Sequence, residues 1–244
     1  LGLLPVAAVL AAAYLVHHRR AANPLVPPGL VRGRTRWALI VSALVGVALV
    51  SVVVDVPLLA RLVQSENQTE AALVLVRFLV AVPVGALLGG WSLRYLGDGL
   101  VAAVGLALAS AGLFIMTGWA RGSLATVSSV VVLAMVGFGV GLALAPVNNA
   151  ALADAPQEAH GTASALIVVA RMVGMVVGLA LLTAIGLHAF YEAVDGIADI
   201  NDRDALVDAA LVPVHWVFRG AAIAAAAGAL LALQLGSARR LSRE

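Results

Sequence analysis

Cysteine and lysine are both absent from the 244 residues. Without cysteine there is no disulfide framework and no thiolate metal site, and the redox compartment stays open. Charge is scarce as well, with 11% charged residues against 62% hydrophobic ones and a mean hydropathy of +1.04. No soluble fold hides that much apolar surface, so the composition predicts an all-α, polytopic membrane helical bundle. Catalytic signatures are also missing: there is no Gly-x-Ser-x-Gly elbow, no His-Glu-x-x-His and no phosphate loop, so an enzyme is not expected. His160, His188 and His215 stand at span ends in no metal-ligand grouping, and neither a metal nor another cofactor is expected. The formal charge of +2 implies no nucleic-acid partner, because the arginines cluster at span ends, where membrane topology accounts for them.

What is present is a succession of apolar runs. A helix needs about 20 such residues to cross about 30 Å of hydrocarbon. Seven runs qualify: 1–16, clipped at its start, then 37–62, 71–91, 99–119, 123–150, 161–187 and 214–236. The chain opens Leu1-Gly2-Leu3-Leu4 with no basic segment ahead, so a signal peptide is not expected and the start reads as internal to a longer protein. Asn23-Pro24-Leu25-Val26-Pro27-Pro28 breaks any helix after the first run and marks a linker. Residues 17–36 form a basic segment and 237–244 a tail.

Basic residues are retained on the cytoplasmic side. Arg19, Arg20, Arg32, Arg34, Arg36, Arg94, Arg239, Arg240 and Arg243 fall on one side of the alternating spans, and Arg61, Arg121 and Arg203 on the other. The first loop and the tail are therefore expected in the cytoplasm of a multi-pass cell (inner) membrane protein. Residues 188–213 are then external and carry Glu192, Asp195, Asp199, Asp202, Asp204 and Asp208. They read as a solvated acidic loop or, from Phe190, Val194 and Ile197, as a short amphipathic helix at the outer interface. The last six spans divide into two triplets that begin on opposite sides, the pattern of an inverted repeat.

An ionisable residue inside a span is a site hypothesis by default. Arg171 lies about ten residues into the sixth span, too deep to reach water easily, and calls for a wet cavity or an acidic partner. Asp55 stands near the outer end of the second span, where Pro57 removes a helix hydrogen bond; a substrate or proton role and an interfacial acid at a helix end are both open. Arg77 is close enough to the outer end of the third span to snorkel. Asn148 and Asn149, with Pro146, end the fifth span and either line a cavity or cap the helix. Gly85-x-x-x-Gly89 and Gly174-x-x-x-Gly178 offer small faces for helix packing, and Gly137-x-Gly139-x-Gly141 sits inside an apolar run without the preceding strand a nucleotide site requires.

The run Gly89-Gly90-Trp91-Ser92-Leu93-Arg94-Tyr95-Leu96-Gly97-Asp98 resembles the turn motif of the major facilitator superfamily, with Arg94 where the family usually has an acid and Asp98 where it has a base. Residues 137–178, with Ala155-Pro156-Gln157-Glu158 between two spans, resemble the fourth and fifth helices of a family half. The likeness covers nearly the whole chain and points to the fourteen-helix drug:proton antiporter branch. More narrowly, Val54-Asp55-Val56, residues 78–91 and Val168-Val169-Ala170-Arg171-Met172 resemble mycobacterial triacylglyceride and drug exporters that work with a lipoprotein.

The resemblance implies that 1–16 ends a linker transmembrane helix, that 17–36 is a cytoplasmic linker, and that 37–236 is a C-terminal six-helix bundle awaiting its N-terminal half. It implies lipid or hydrophobic drug substrates, protons as the coupling ion, a periplasmic lipoprotein partner, and a central-cavity charge pair involving Arg171. Gly90, Arg94, Gly97 and Asp98 would form the conformational turn motif. The connection at 119–123 is much shorter than that exporter's long extension. The alternative is a non-transporting scaffold or sensor that binds an extracytoplasmic partner through its acidic segment.

Overall fold

A computed structural model describes residues 29–64, 68–120, 123, 126–195 and 203–236. The first expected span, most of the basic linker and the tail lie outside the described residues. Six helices follow in order: α1 (Gly33–Gln64), α2 (Gln68–Leu96), α3 (Asp98–Met116), α4 (Val127–Ala153), α5 (His160–Asp195) and α6 (Arg203–Ala232). Short 3₁₀ turns at Gln157–Ala159 and Leu233–Leu235 precede α5 and follow α6. All six helices are long and apolar enough to cross a membrane.

In hydrocarbon every backbone polar group must be satisfied within its own segment, which is why these sequences form helices even where proline interrupts them. Pro57, Pro83, Pro146 and Pro213 all lie inside helices. Pro57 does not open α1, which continues helical to Gln64. Pro213 lies well inside α6 rather than ahead of it, because glycine at 186 leaves room for its ring: a Cβ at Gly186 would come within 3.1 Å of it. The acidic segment is accordingly more helical than expected. Glu192 and Asp195 ride on the last turns of α5, and Asp204 and Asp208 on the first turns of α6.

The main helix pairings recur when the two triplets exchange places, although α5 packs on α6 far more closely than α2 does on α3. α2 lies against α4 as α5 lies against α1, and α3 lies against α4 as α6 lies against α1. The pairs α1–α4 and α3–α6 map onto themselves. The two triplets thus share their main pairings, α2–α4 with α5–α1 and α3–α4 with α6–α1. The core is Phe78, Leu106, Leu113, Leu133, Ile167 and Phe218, all fully buried, with Trp119 edge-on to Phe218 at 6.4 Å. Hydroxyls tie neighbouring helices by donating to their carbonyls: Ser42 to Ile167 at 2.9 Å and Ser110 to Ala222 at 2.8 Å. Such bonds contribute about 0.6 kcal/mol each in a membrane.

Glycines set the closest approaches. A Cβ at Gly46 would overlap the Arg171 carbonyl, and one at Gly174 the Ala43 carbonyl, so α1 and α5 meet backbone to backbone. Gly137 and Gly141 face Phe78 and Val82 of α2, while Gly139 between them faces Gly105 of α3. The spaced glycines in α4 are therefore packing sites on two opposite faces. By contrast α2 and α5 bury little of themselves, 17% and 22% of their apolar spans.

Helix rise gives the depth of each residue. At 1.5 Å per residue, Asp55 stands about 32 Å above Arg34 in α1, and Trp216 stands about 30 Å above Leu235 at the end of the 3₁₀ turn after α6, both close to one hydrocarbon thickness. Trp37 and Trp91 mark one boundary and Trp119 and Trp216 the other, as interfacial aromatics do. The last turns of α5 and the first of α6 then project beyond the far boundary.

Candidate functional site

Arg171 occupies the middle of this layer. It is 11 residues into α5, about 17 Å from the helix start, half-buried, and its Nε meets no hydrogen-bonding partner. The backbone contact at Gly46 fixes where this residue sits, and Gly174 and Gly178, one and two turns on, clamp the same face of α5 onto Ala43 and Val47 of α1. A guanidinium held halfway through hydrocarbon demands an anion, a carbonyl or water.

Asp55 and Arg77 stand at the far boundary. Asp55 is 7% exposed and its Oδ2 has no partner; Arg77, about 28 Å above Leu96 in α2, is half-buried and its Nη1 has none either. Asp55 lines a hollow between α1, α5 and α6 together with Thr183 and Val217. It lies about 14 Å higher than Gly46, the residue that touches Arg171, so Asp55 and Arg171 occupy different levels of the layer.

At the opposite boundary the turn motif joins a polar cluster. Gly97 is the single residue between α2 and α3; its φ of +74° belongs to glycine, and it reverses the chain in one step. Asp98 then opens α3, where the helix dipole favours an acid. Its carboxylate is 5% exposed, accepts a 2.6 Å hydrogen bond from Asn149 Nδ2 and lies 3.8 Å from Arg34 Nη2. Arg34 Nε also donates to the Leu235 carbonyl at 3.0 Å, its Nη1 is 4.0 Å from Asp154, and its backbone amide donates to Asp154 Oδ2 at 3.1 Å. Thr35 donates to the Ala151 carbonyl at 3.2 Å. One guanidinium therefore connects α1, α3, the end of α4 and the turn after α6.

The structure thus brings Asp98 and Asn149 together and leaves Asn148 and Arg94 exposed. Gly90 faces Ala145 across the α2–α4 contact at ordinary van der Waals distance. Sequence reasoning counted Arg34 for topology alone and passed over Asp154; the visible signal was an acid and an arginine each bordering an apolar run. It also passed over Arg219 in α6, exposed and stacked over the Trp216 ring at 5.4 Å. Among the described residues no cluster of three metal-binding side chains occurs. His215 Nε2 lies 2.7 Å from the Trp119 carbonyl, and His160 Nε2 lies 3.1 Å from that of Ala155.

Residues 1–179 match the sequence family described as Major Facilitator Superfamily. The chain belongs to the major facilitator superfamily. A triacylglyceride transporter of Mycolicibacterium hassiacum is 45% identical over 196 residues, 76% of this chain and 37% of that protein. One of Mycolicibacterium smegmatis is 39% identical over 202 residues, covering 78% and 36% of the two chains. A probable triacylglyceride transporter of Mycobacterium leprae is 35% identical over 255 aligned positions, 95% of this chain and half of that one. The chain spans half or less of the length of these relatives. Membership of the superfamily, with six helices apolar enough to cross a bilayer, makes it a multi-pass membrane protein. Beside the turn at Gly97, Asp98 finds its cation in Arg34.

Proposed function

We propose that the chain is the C-terminal half of a proton-coupled exporter that moves triacylglycerides or similar lipids, and hydrophobic drugs, out of the cytoplasm across the inner membrane. The observation that carries this reading is Arg171: a half-buried guanidinium at mid-depth, with an unsatisfied Nε, in a chain similar to triacylglyceride transporters. The cation is the natural counterpart of an acid contributed by the N-terminal half, and alternation between paired and open states is what a carrier requires.

The Arg34 end faces the cytoplasm in this reading, following the arginine bias. Arg171 serves the central cavity; Asp55, Arg77, Asn148 and Asn149 belong to the substrate or proton path. Gly90, Arg94, Gly97 and Asp98 form the conformational turn. A periplasmic lipoprotein that receives the lipid is the corresponding partner.

The test is export in inverted vesicles carrying the full-length parent protein, with a labelled triacylglyceride and a drug panel, with and without a proton gradient. Gradient-dependent export is expected, and Arg171→Ala should reduce it to background at normal membrane expression. Wild-type export by that variant would remove Arg171 from the site, and gradient-independent export would remove proton coupling.

A further inference from the structure

Two hollows lie one above the other along the seam of α1, α5 and α6. The one nearer mid-depth has a volume of ≈ 430 Å³, with Ala43, Val47, Val177, Leu181 and Ala224 among its walls. Its lining is wholly apolar. The second, ≈ 310 Å³, continues toward the far boundary between Val54, Leu58, Gly186, Pro213 and Val217. Leu182, resting against Gly220, lines the upper part of the deeper hollow, next in sequence to Thr183 of the second. In the second hollow Asp55 and Thr183 are the polar side chains, and Asp55, 7% exposed, keeps Oδ2 without a partner.

From Ala43 to Leu58 the seam runs about 22 Å along α1, the reach of a long acyl chain. It starts at mid-bilayer and ends at the depth where lipid headgroups begin, and the buried, unpaired Oδ2 of Asp55 stands at that end. We propose that the seam binds an acylglycerol carrying a free hydroxyl, whose chain lies toward Ala43 and whose hydroxyl donates to Oδ2 of Asp55.

The chemistry narrows the ligand. A phospholipid would set its phosphate beside a carboxyl group in a lining that holds no cation. A fully esterified glyceride has no hydrogen to donate, so Oδ2 would stay unpaired in a buried place, which is the costly arrangement. A mono- or diacylglycerol satisfies both ends. The proposal rests on the lipid-export reading, and it separates the partial glyceride held at this seam from the cargo that faces Arg171.

The test uses the full-length parent protein in lipid nanodiscs and two photoactivatable, alkyne-tagged probes of one chain length: a monoacylglycerol and the corresponding methyl ester. The monoacylglycerol should label peptides covering 43–58 and 173–187 about tenfold more strongly than the ester, the effect of one hydrogen bond made away from water. Asp55→Leu should bring its labelling down to the ester's level, while Asp55→Asn, which keeps an acceptor oxygen, retains most of it. Ala224→Phe fills the deeper hollow and should suppress both probes, an outcome that does not depend on the Asp55 variants folding.

Equal labelling by the two probes in the unmodified protein, or undiminished labelling in Asp55→Leu, overturns the proposal. Labelling requires no turnover. Hydroxyl-selective labelling without any lipid export would therefore uphold the site and refute the transport reading, whereas export with labelling indifferent to Asp55 would do the reverse.

Discussion

Replacing Arg34 with alanine tests the polar cluster at the turn motif. The substitution removes the only cation within 4 Å of Asp98 among the described residues and the donor to the Leu235 carbonyl. Asp98, 5% exposed, would keep its bond from Asn149 but not its charge partner. Removing one member of a buried pair costs about 3–5 kcal/mol. Here the charged nitrogens stand 3.8 and 4.0 Å from their carboxylates, and Asp154, 40% exposed, is compensated by water. The lower end, about 3 kcal/mol, is the expected loss.

At roughly 2–4 °C per kcal/mol for 150–250 residues, and less for the longer full-length protein, the melting midpoint should fall by at most about 6–12 °C. The midpoint can be followed by fluorescence-detected size exclusion of heated, detergent-solubilised full-length protein. Adding Asp98→Asn to the alanine variant removes the stranded charge and should restore at least about 1 kcal/mol, a coupling that unlinked residues would not show. An Arg34→Ala midpoint within about 2 °C of the unmodified protein would refute the reasoning.

Gly174→Ala places a Cβ on the Ala43 carbonyl, and overpacking of this kind costs about 1–3 kcal/mol. It should lower the midpoint and export together, whereas Gly161→Ala, which meets nothing within 4 Å, should leave both unchanged; equal behaviour of the two variants would sink the helix-contact argument. Arg77→Leu removes a buried donor that has no partner and should leave stability unchanged or higher by about 1 kcal/mol. A large loss of midpoint in that variant would instead mean that Arg77 is paired in the whole protein.

The fold was legible because hydrophobic runs bounded by arginine and glycine are what a bilayer requires. Asp55 and Arg171 stood out for the same reason, as charges where the solvent is hydrocarbon. The full lengths of α5 and α6 were not legible, since beyond the bilayer a helix carries acidic residues and its hydropathy no longer marks it. The Arg34 cluster escaped for a different reason. Its partners lie 64 to 201 residues away in sequence, and an arginine at a span end looks the same whether it meets water or Asp98.

The placement of the glycines bears on how the six helices can move. Where backbone meets backbone, as between α4 and both α2 and α3 and between α1 and α5, no rotamer change can absorb a displacement, so those helices translate together as rigid blocks. α3 and α6 also meet backbone to backbone, where Gly99 faces the Ala232 carbonyl, whereas α1 and α4 meet through side chains such as Thr35, which can slide by small shears. A displacement within the bundle would be taken up at the α1–α4 seam, and Arg34, which reaches Asp154 at the end of α4, would set the pivot about which the blocks turn.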